Sequence, residues 1–156
     1  MILDVCCGAR MFWYDKHPKD VVFCDNREIS TILCDGRTLE VKPDIIADFT
    51  NLPFQDGQFE MVVFDPPHLR KAGEKSWLRA KYGVIPDNQD PATYIAQGFA
   101  ECMRVSSGFV VFKWNEEQIS FSEITKKFKT KPLFGDRRGK TRWCIYRTNN
   151  RDCKGN

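Results

Sequence analysis

Six short stretches of the chain are mostly apolar: residues 1–5, 21–24, 44–47, 60–64, 108–113 and 143–147. Runs of that length read as strands, and continuous apolar character predicts cover on both faces, as in a parallel sheet. Two intervening segments carry helix signatures. Asp90-Pro91 offers an N-cap with proline at the first helical position, and Ile95, Phe99 and Met103 then recur every fourth residue beside Ala92 and Cys102. Ser120-Phe121-Ser122-Glu123 is a capping box, with Ile119 and Ile124 set to staple it and a stripe of Phe121, Ile124 and Phe128. Strands alternating with helices or loops predict an α/β domain around a mostly parallel sheet, with an antiparallel C-terminal hairpin strand. Residues 26–43 have few periodic apolar positions and a turn signal at Cys34-Asp35-Gly36. Residues 69–89 are polar and basic, with Gly73 and Gly83, and are predicted to form a long loop of the kind that usually carries function.

Composition narrows the class. A chain of 156 residues is about one domain's worth, and 42% hydrophobic with 29% charged residues excludes disorder, collagen-like repeats and coiled coil. No apolar run approaches the roughly 20 residues that span a bilayer, so a cytosolic protein without a membrane partner is expected. The seven cysteines (Cys6, Cys7, Cys24, Cys34, Cys102, Cys144 and Cys153) are odd in number and contain no C-x-x-C pair. That pattern supports neither a disulfide framework nor a zinc site. They read as small hydrophobes in a reducing compartment, and no metal is expected. The net charge of +3 conceals a split. Residues 1–65 hold 6 Lys/Arg against 12 Asp/Glu, and residues 66–156 hold 18 against 9. One surface is thereby suited to a polyanion.

Asp4, Asp25, Asp48 and Asp65 each close one of the first four predicted strands. In an open α/β sheet, ligands bind in the crevice outside the carboxyl ends of the strands. The first strand runs into a turn at Gly8, where a missing side chain lets the backbone approach a ligand. Asp25 follows Asp4 by 21 residues, the spacing at which a Rossmann-like site holds a ribose diol. The dinucleotide fingerprint G-x-G-x-x-G is absent. The fourth strand ends in Asp65-Pro66-Pro67-His68.

These segments resemble class I methyltransferases that use S-adenosylmethionine. The glycine motif of that family looks like Asp4–Gly8, its ribose-binding acid matches Asp25, and its adenine-contacting acid with an L-P-F-x-D-x-x-F stretch matches Asp48 and residues 52–59. The D-P-P-H tetrapeptide is similar to the D/N-P-P-aromatic motif of enzymes that methylate exocyclic amino groups of nucleobases. The resemblance covers most of residues 1–113 and is closest to small bacterial and bacteriophage forms. It implies that Asp4, Cys6, Gly8, Asp25, Asn26, Asp48 and Phe49 hold S-adenosylmethionine. It also implies that Asp65, Pro66, Pro67 and His68 form the catalytic motif. The residues make chemical sense in those roles. An exocyclic base amine is a poor nucleophile because its lone pair is conjugated into the ring. Asp65 can accept one of its N–H bonds and the Pro66 carbonyl the other, which stabilises positive charge as it develops. The two prolines keep the backbone out of a helix. His68 stands where the family has Tyr, Phe or Trp, and an imidazole can stack, donate, accept or titrate.

The basic second half then has two candidate contact surfaces. Arg70, Lys71, Lys75, Trp77, Arg79 and Lys81, with Tyr82 in the same loop, follow the D-P-P-H motif directly and are expected to bind the substrate. Residues 126–142 form a basic helix end and hairpin that either tracks phosphates, with Trp143 stacking a base, or is a solvated face. Residues 1–65 are then the cofactor half and residues 66–156 the acceptor half, without a separate target-recognition domain. Weak sequence specificity, recognition of nucleic-acid structure, or help from a protein partner would follow. Two rivals remain at this stage: a small-molecule methyltransferase, and a non-catalytic nucleic-acid-binding module with the same fold.

Overall fold

The apolar runs of the sequence pair side by side in a computed structural model that describes residues 1–74 and 76–148. Lys75 and Cys153 lie outside the described residues. In chain order the elements are β1 (Ile2–Asp4), β2 (Val21–Asp25), β3 (Ile29–Ile32), β4 (Thr38–Val41), β5 (Ile45–Ile46), β6 (Phe59–Phe64), α1 (Trp77–Tyr82), α2 (Pro91–Val105), β7 (Ser106–Asn115), α3 (Phe121–Thr125), β8 (Phe134–Arg138) and β9 (Thr141–Arg147). Seven strands form one sheet in the order β5-β2-β1-β6-β7-β9-β8. The first five are parallel, and β9 and β8 join antiparallel. This is a Rossmann-like α/β fold, with the expected mostly parallel sheet and antiparallel C-terminal hairpin.

The two faces of the sheet are covered differently. Leu3, Cys24, Val62, Phe64, Val110, Phe112 and Trp114 point to the face packed by α2 and α3 and join one buried cluster with Ile95, Phe99, Cys102 and Ile124. Phe128, just beyond α3, stacks on Phe99 with ring centroids 4.0 Å apart. Ser120 caps α3 through Glu123 N–H, and Asp90 caps α2 through Thr93 N–H, as their sequence signatures predict. On the opposite face no helix joins β1 to β2. The connection is a loop whose Trp13 packs edge-on against Phe23 at 5.4 Å, with the Arg10 guanidinium 3.9 Å above the same ring. Lys16 holds that loop closed by donating to the carbonyls of Arg10, Met11 and Trp13.

Three elements depart from the sequence pattern. The turn at residues 34–36 is present, with Gly36 at φ +82°, but it joins strands β3 and β4 in a separate hairpin. Only Leu39 and Val41 of that hairpin are buried, so its alternation is faint in the sequence. The predicted loop 69–89 contains α1, capped by Ser76 at one end and Gly83 at the other. No residue of α1 is buried, so it has no apolar stripe to betray it. Strand β8 is exposed along its whole length and forms because β9 offers it a partner.

Gly98 of α2 sits where a side chain has no room. A Cβ there would lie 2.3 Å from Phe49 and 2.8 Å from Phe64. Gly98→Ala improves helix propensity by about 1 kcal/mol, yet overpacking of this kind costs about 1–3 kcal/mol. Urea denaturation should therefore show a less stable variant. A gain in stability would mean that α2 is not seated on these two rings.

Candidate active site

Strand β1 lies between β2 and β6, so the chain leaves it in one direction and later returns on the other side. This is the switch point of an open sheet, where the loops at the strand ends part and leave a crevice. A cleft occupies that position. Its walls come from Cys6, Gly8 and Phe12 after β1, Asp25 to Arg27 at β2, Phe49, Asp65 to His68 after β6, Lys81 and Tyr82 of α1, and Lys113 of β7.

At one end stands the buried carboxylate of Asp25. Its Oδ2 accepts from Gly8 N–H at 2.9 Å, and its Oδ1 accepts from Arg27 N–H and Nε at 3.0 and 3.1 Å. Gly8 holds φ at +48°, in the region that favours glycine. A Cβ at Gly8 would come into ordinary van der Waals contact with the Lys81 carbonyl at 3.9 Å, so the positive φ, and not a clash, is what favours glycine here. Arg27 also donates to the Ala80 carbonyl at 3.1 Å and so ties α1 over this end. Burial pushes the Cys6 thiol well above its ordinary range and Cys7 up to about 12. Both are packing groups here and not nucleophiles.

At the other end Asp65 meets Lys113, Oδ2 to Nζ, at 2.6 Å. Burial raises the Asp65 carboxyl above its ordinary range, and the Lys113 ammonium pulls it part of the way back. The ammonium lies 5.4 Å from the ring centres of both Phe12 and Trp143, within cation–π reach. Pro66 is buried, and Pro67 packs where α1 ends at Gly83. His68 faces the Tyr82 ring at 5.3 Å and the Trp114 ring edge-on at 6.4 Å. Burial, with Lys113 nearby, lowers its pKa to about 4. At neutral pH it is an uncharged ring.

The fold thus brings together Cys6, Gly8, Asp25, Asn26, Phe49, Asp65, Pro66, Pro67, His68 and Lys81 from the sequence-based set. Others stand apart from the cleft. Asp4 is fully buried, with Oδ1 accepting from Cys6 N–H and Oδ2 from Trp13 Nε1 at 2.7 Å. Asp48 is exposed, and its Oδ1 holds the N–H and hydroxyl of Thr50 at 2.8 Å in a local turn. The L-P-F-x-D stretch also does structural work. The carbonyls of Leu52 and Phe54 and the carboxylate of Asp56 receive Arg104 of α2 at 2.7–3.0 Å. Arg70 and Lys71 lie on neighbouring surface, their backbone N–H groups donating to Gln118. Trp77 and Arg79 are on the exposed side of α1.

The C-terminal hairpin is not a free basic track. Arg142 and Arg137 pair with Glu116, Lys140 with Glu117, and Arg138 with Asp136. Trp143 packs edge-on against Phe12 at 5.7 Å instead of standing open to a base. Sequence reasoning missed Arg27 and Lys113, whereas Tyr82 was placed in the loop that follows the D-P-P-H motif. For Lys113 a signal existed, since it is the one charge at the end of an otherwise apolar strand. Among the described residues no cluster of three His, Cys, Asp or Glu side chains could hold a metal ion, and no helix is long and apolar enough to cross a membrane.

Comparison with known proteins extends the fold and not the chemistry. No family model matches the chain, and no curated protein matches it. The crystal structure of a protein from Pyrococcus horikoshii OT3 superposes with a TM-score of 0.59 over 95% of this chain and 81% of its own, at 16% identity. A Streptococcus pyogenes protein described as conserved and hypothetical gives 0.46 over 96% and 86%, at 13% identity. The first likeness supports the Rossmann-like architecture.

Burial drives the Asp4 carboxyl up to about 7, against the opposing pull of the Trp13 hydrogen bond. A raised carboxyl stabilises the fold fully below its ordinary value of 3.8, and that contribution is lost as pH rises through 7. Trp13→Phe removes the donor that tolerates the ionised form. It should cost about 1.5–3 kcal/mol at pH 8, where the acceptor is charged, and about 0.5–1.5 kcal/mol at pH 5. Denaturant titrations at the two pH values check this, and equal losses would contradict it.

Proposed function

We propose that this protein is an S-adenosylmethionine-dependent methyltransferase that modifies an exocyclic amino group of a nucleobase. The observation that carries the reading is a single cleft, at the switch point of a Rossmann-like sheet, with Asp25 and the Gly8 turn at one end and Asp65-Pro66-Pro67-His68 at the other. The residues present fit an adenosyl group. Asp25 is buried and holds three donors, which leaves one acceptor site, on Oδ2, for a ribose hydroxyl, and the Gly8 turn lines the same cleft without a side chain. Asp25, Asn26 and Phe49 would hold its nucleoside part, and Cys6 and Gly8 would face its methionine part. Bound there, S-adenosylmethionine supplies an electrophilic methyl group on a sulfonium.

The chain's own contribution is alignment and electrostatics. Asp65 accepts an N–H of the amine, and the Pro66 carbonyl accepts the second. Both favour the nitrogen as it takes on positive charge while the N–methyl bond forms and the methyl–sulfur bond breaks, and the methylated nitrogen then returns to neutrality by releasing one proton to water. His68, uncharged, offers a ring face beside Tyr82 against which a base can lie. Lys81 supplies positive charge at the cleft wall, while the Lys113 ammonium is paired with Asp65.

A small-molecule acceptor is the second reading, and the partial pairing of the C-terminal hairpin's cations with acids favours it. With Arg137, Arg138, Lys140 and Arg142 already paired to acids, fewer cations are left for phosphates. Affinity for nucleic acid should fall linearly in logarithmic terms with salt if phosphates are contacted. A flat salt titration points to the small acceptor.

Labelled methyl should pass from S-adenosylmethionine to total DNA or RNA, with recovery of an N-methylated nucleoside. Asp65→Ala should slow this about 10²–10³-fold while leaving cofactor affinity nearly unchanged. Transfer by the variant at the wild-type rate would remove Asp65 from the chemistry. Transfer to a metabolite extract alone would select the second reading.

A further inference from the structure

Lys113 is a charged cleft residue to which neither the D-P-P-H motif nor the cofactor-binding positions give a role. It stands at the carboxyl end of β7, beside Asp65 across the parallel pair in which Phe64 faces Phe112. Its ammonium is held from two sides, by Oδ2 of Asp65 at 2.6 Å and by the corner that the rings of Phe12 and Trp143 form. Those rings come from different parts of the chain, the loop after β1 and strand β9, so three segments converge on one charge. The Lys113 and Asp65 side chains are 24% and 21% exposed, too little for water to screen the pair as it would at the surface. No other described residue bonds the second oxygen, Oδ1.

We propose that Lys113 is a positioning residue: it fixes Oδ2 of Asp65 and leaves Oδ1 as the carboxylate oxygen offered to the acceptor amine. The proposal rests on the methyl-transfer reading above. Without the ammonium, Asp65 could rotate or take up a proton, and a protonated carboxyl would present a donor where the amine needs an acceptor. The ammonium also keeps the pair neutral overall, so the cleft can hold an acidic group next to apolar walls. The other titratable groups near Asp65 are Asp4 of β1, Cys6 in the loop after it, and His68 of its own segment. The Asp65 charge disfavours ionisation of Asp4, while Lys113 is the cation that favours the ionised form of Asp65.

The test compares wild type with Lys113→Met and Lys113→Arg in two measurements. The first is a carboxyl ¹³C titration of Asp65 in the free protein, assigned with Asp65→Asn. Loss of an adjacent opposite charge should raise the midpoint by about 1–3 pH units in Lys113→Met, and Lys113→Arg should restore it. The second is the pH profile of single-turnover methyl transfer, whose acid limb should move up by the same amount in Lys113→Met and return in Lys113→Arg. An unchanged ¹³C midpoint in Lys113→Met overturns the proposal whatever the activity. A shifted midpoint with an unmoved acid limb overturns it too, because Asp65 would then not act through Lys113. A shifted midpoint in Lys113→Met together with a wild-type protein that methylates no acceptor overturns the methyl-transfer reading, and the acceptor role of the pair with it. If Lys113→Met does not fold, Lys113→Gln, which keeps a donor without charge, replaces it under the same criteria.

Discussion

Strands β2, β1, β6 and β7 run in one direction, so their carboxyl ends share one edge of the sheet. Every chemically distinctive side chain of the cleft depends on that alignment. Asp25, the Gly8 turn, Asp65 and Lys113 are far apart in sequence and meet only because each ends a parallel strand. The register is held by burial. Leu3, Val62 and Val110 are inaccessible on the helix-covered face, and a one-residue slip would send each of them to the other side. The loops that leave the strand ends are free to carry polar groups because the strands themselves carry almost none.

The two faces of the sheet divide stability and recognition between them. The α2–α3 face is an aromatic and aliphatic core, with Phe99, Phe112, Phe128 and Tyr146 in mutual contact. The other face relies on the loop after β1, and the same loop lines the cleft through Met11 and Phe12. Trp13 and Asp4 couple the two tasks. The indole covers Phe23, and its N–H satisfies a buried acid directly under the Gly8 turn. α1 bridges the cleft from above, tied to Asp25 through Arg27 and to His68 through Tyr82.

Much of this was legible in the residues, and the misses have physical causes. Long buried strands and the Asp90 and Ser120 caps announce themselves through local pattern, and the sheet follows from them. Asp25, Gly8 and Asp65-Pro66-Pro67-His68 could be placed because strand ends and turns fix where such residues stand. Asp4 and Asp48 share the same sequence position at strand ends, yet one is sealed by Trp13 and the other serves a local turn with Thr50. Whether a strand-end acid faces the cleft depends on what packs over it, which local pattern does not encode. Lys113 and Arg27 act through partners 48 and 53 residues away, Asp65 and the Ala80 carbonyl. The charge split was read as a cofactor half and a phosphate-facing half. In the structure the four hairpin cations share three acids, Glu116, Glu117 and Asp136.

The proposed function requires the Asp25 end of the cleft to receive an adenosyl cofactor. Isothermal titration of S-adenosylmethionine into the wild-type protein and Asp25→Asn tests it most directly. A stoichiometric binding isotherm that weakens about 10-fold or more in the variant, the loss of a hydrogen bond to a charged group, is the expected result. No binding by the wild type, or equal binding by both proteins, would contradict it.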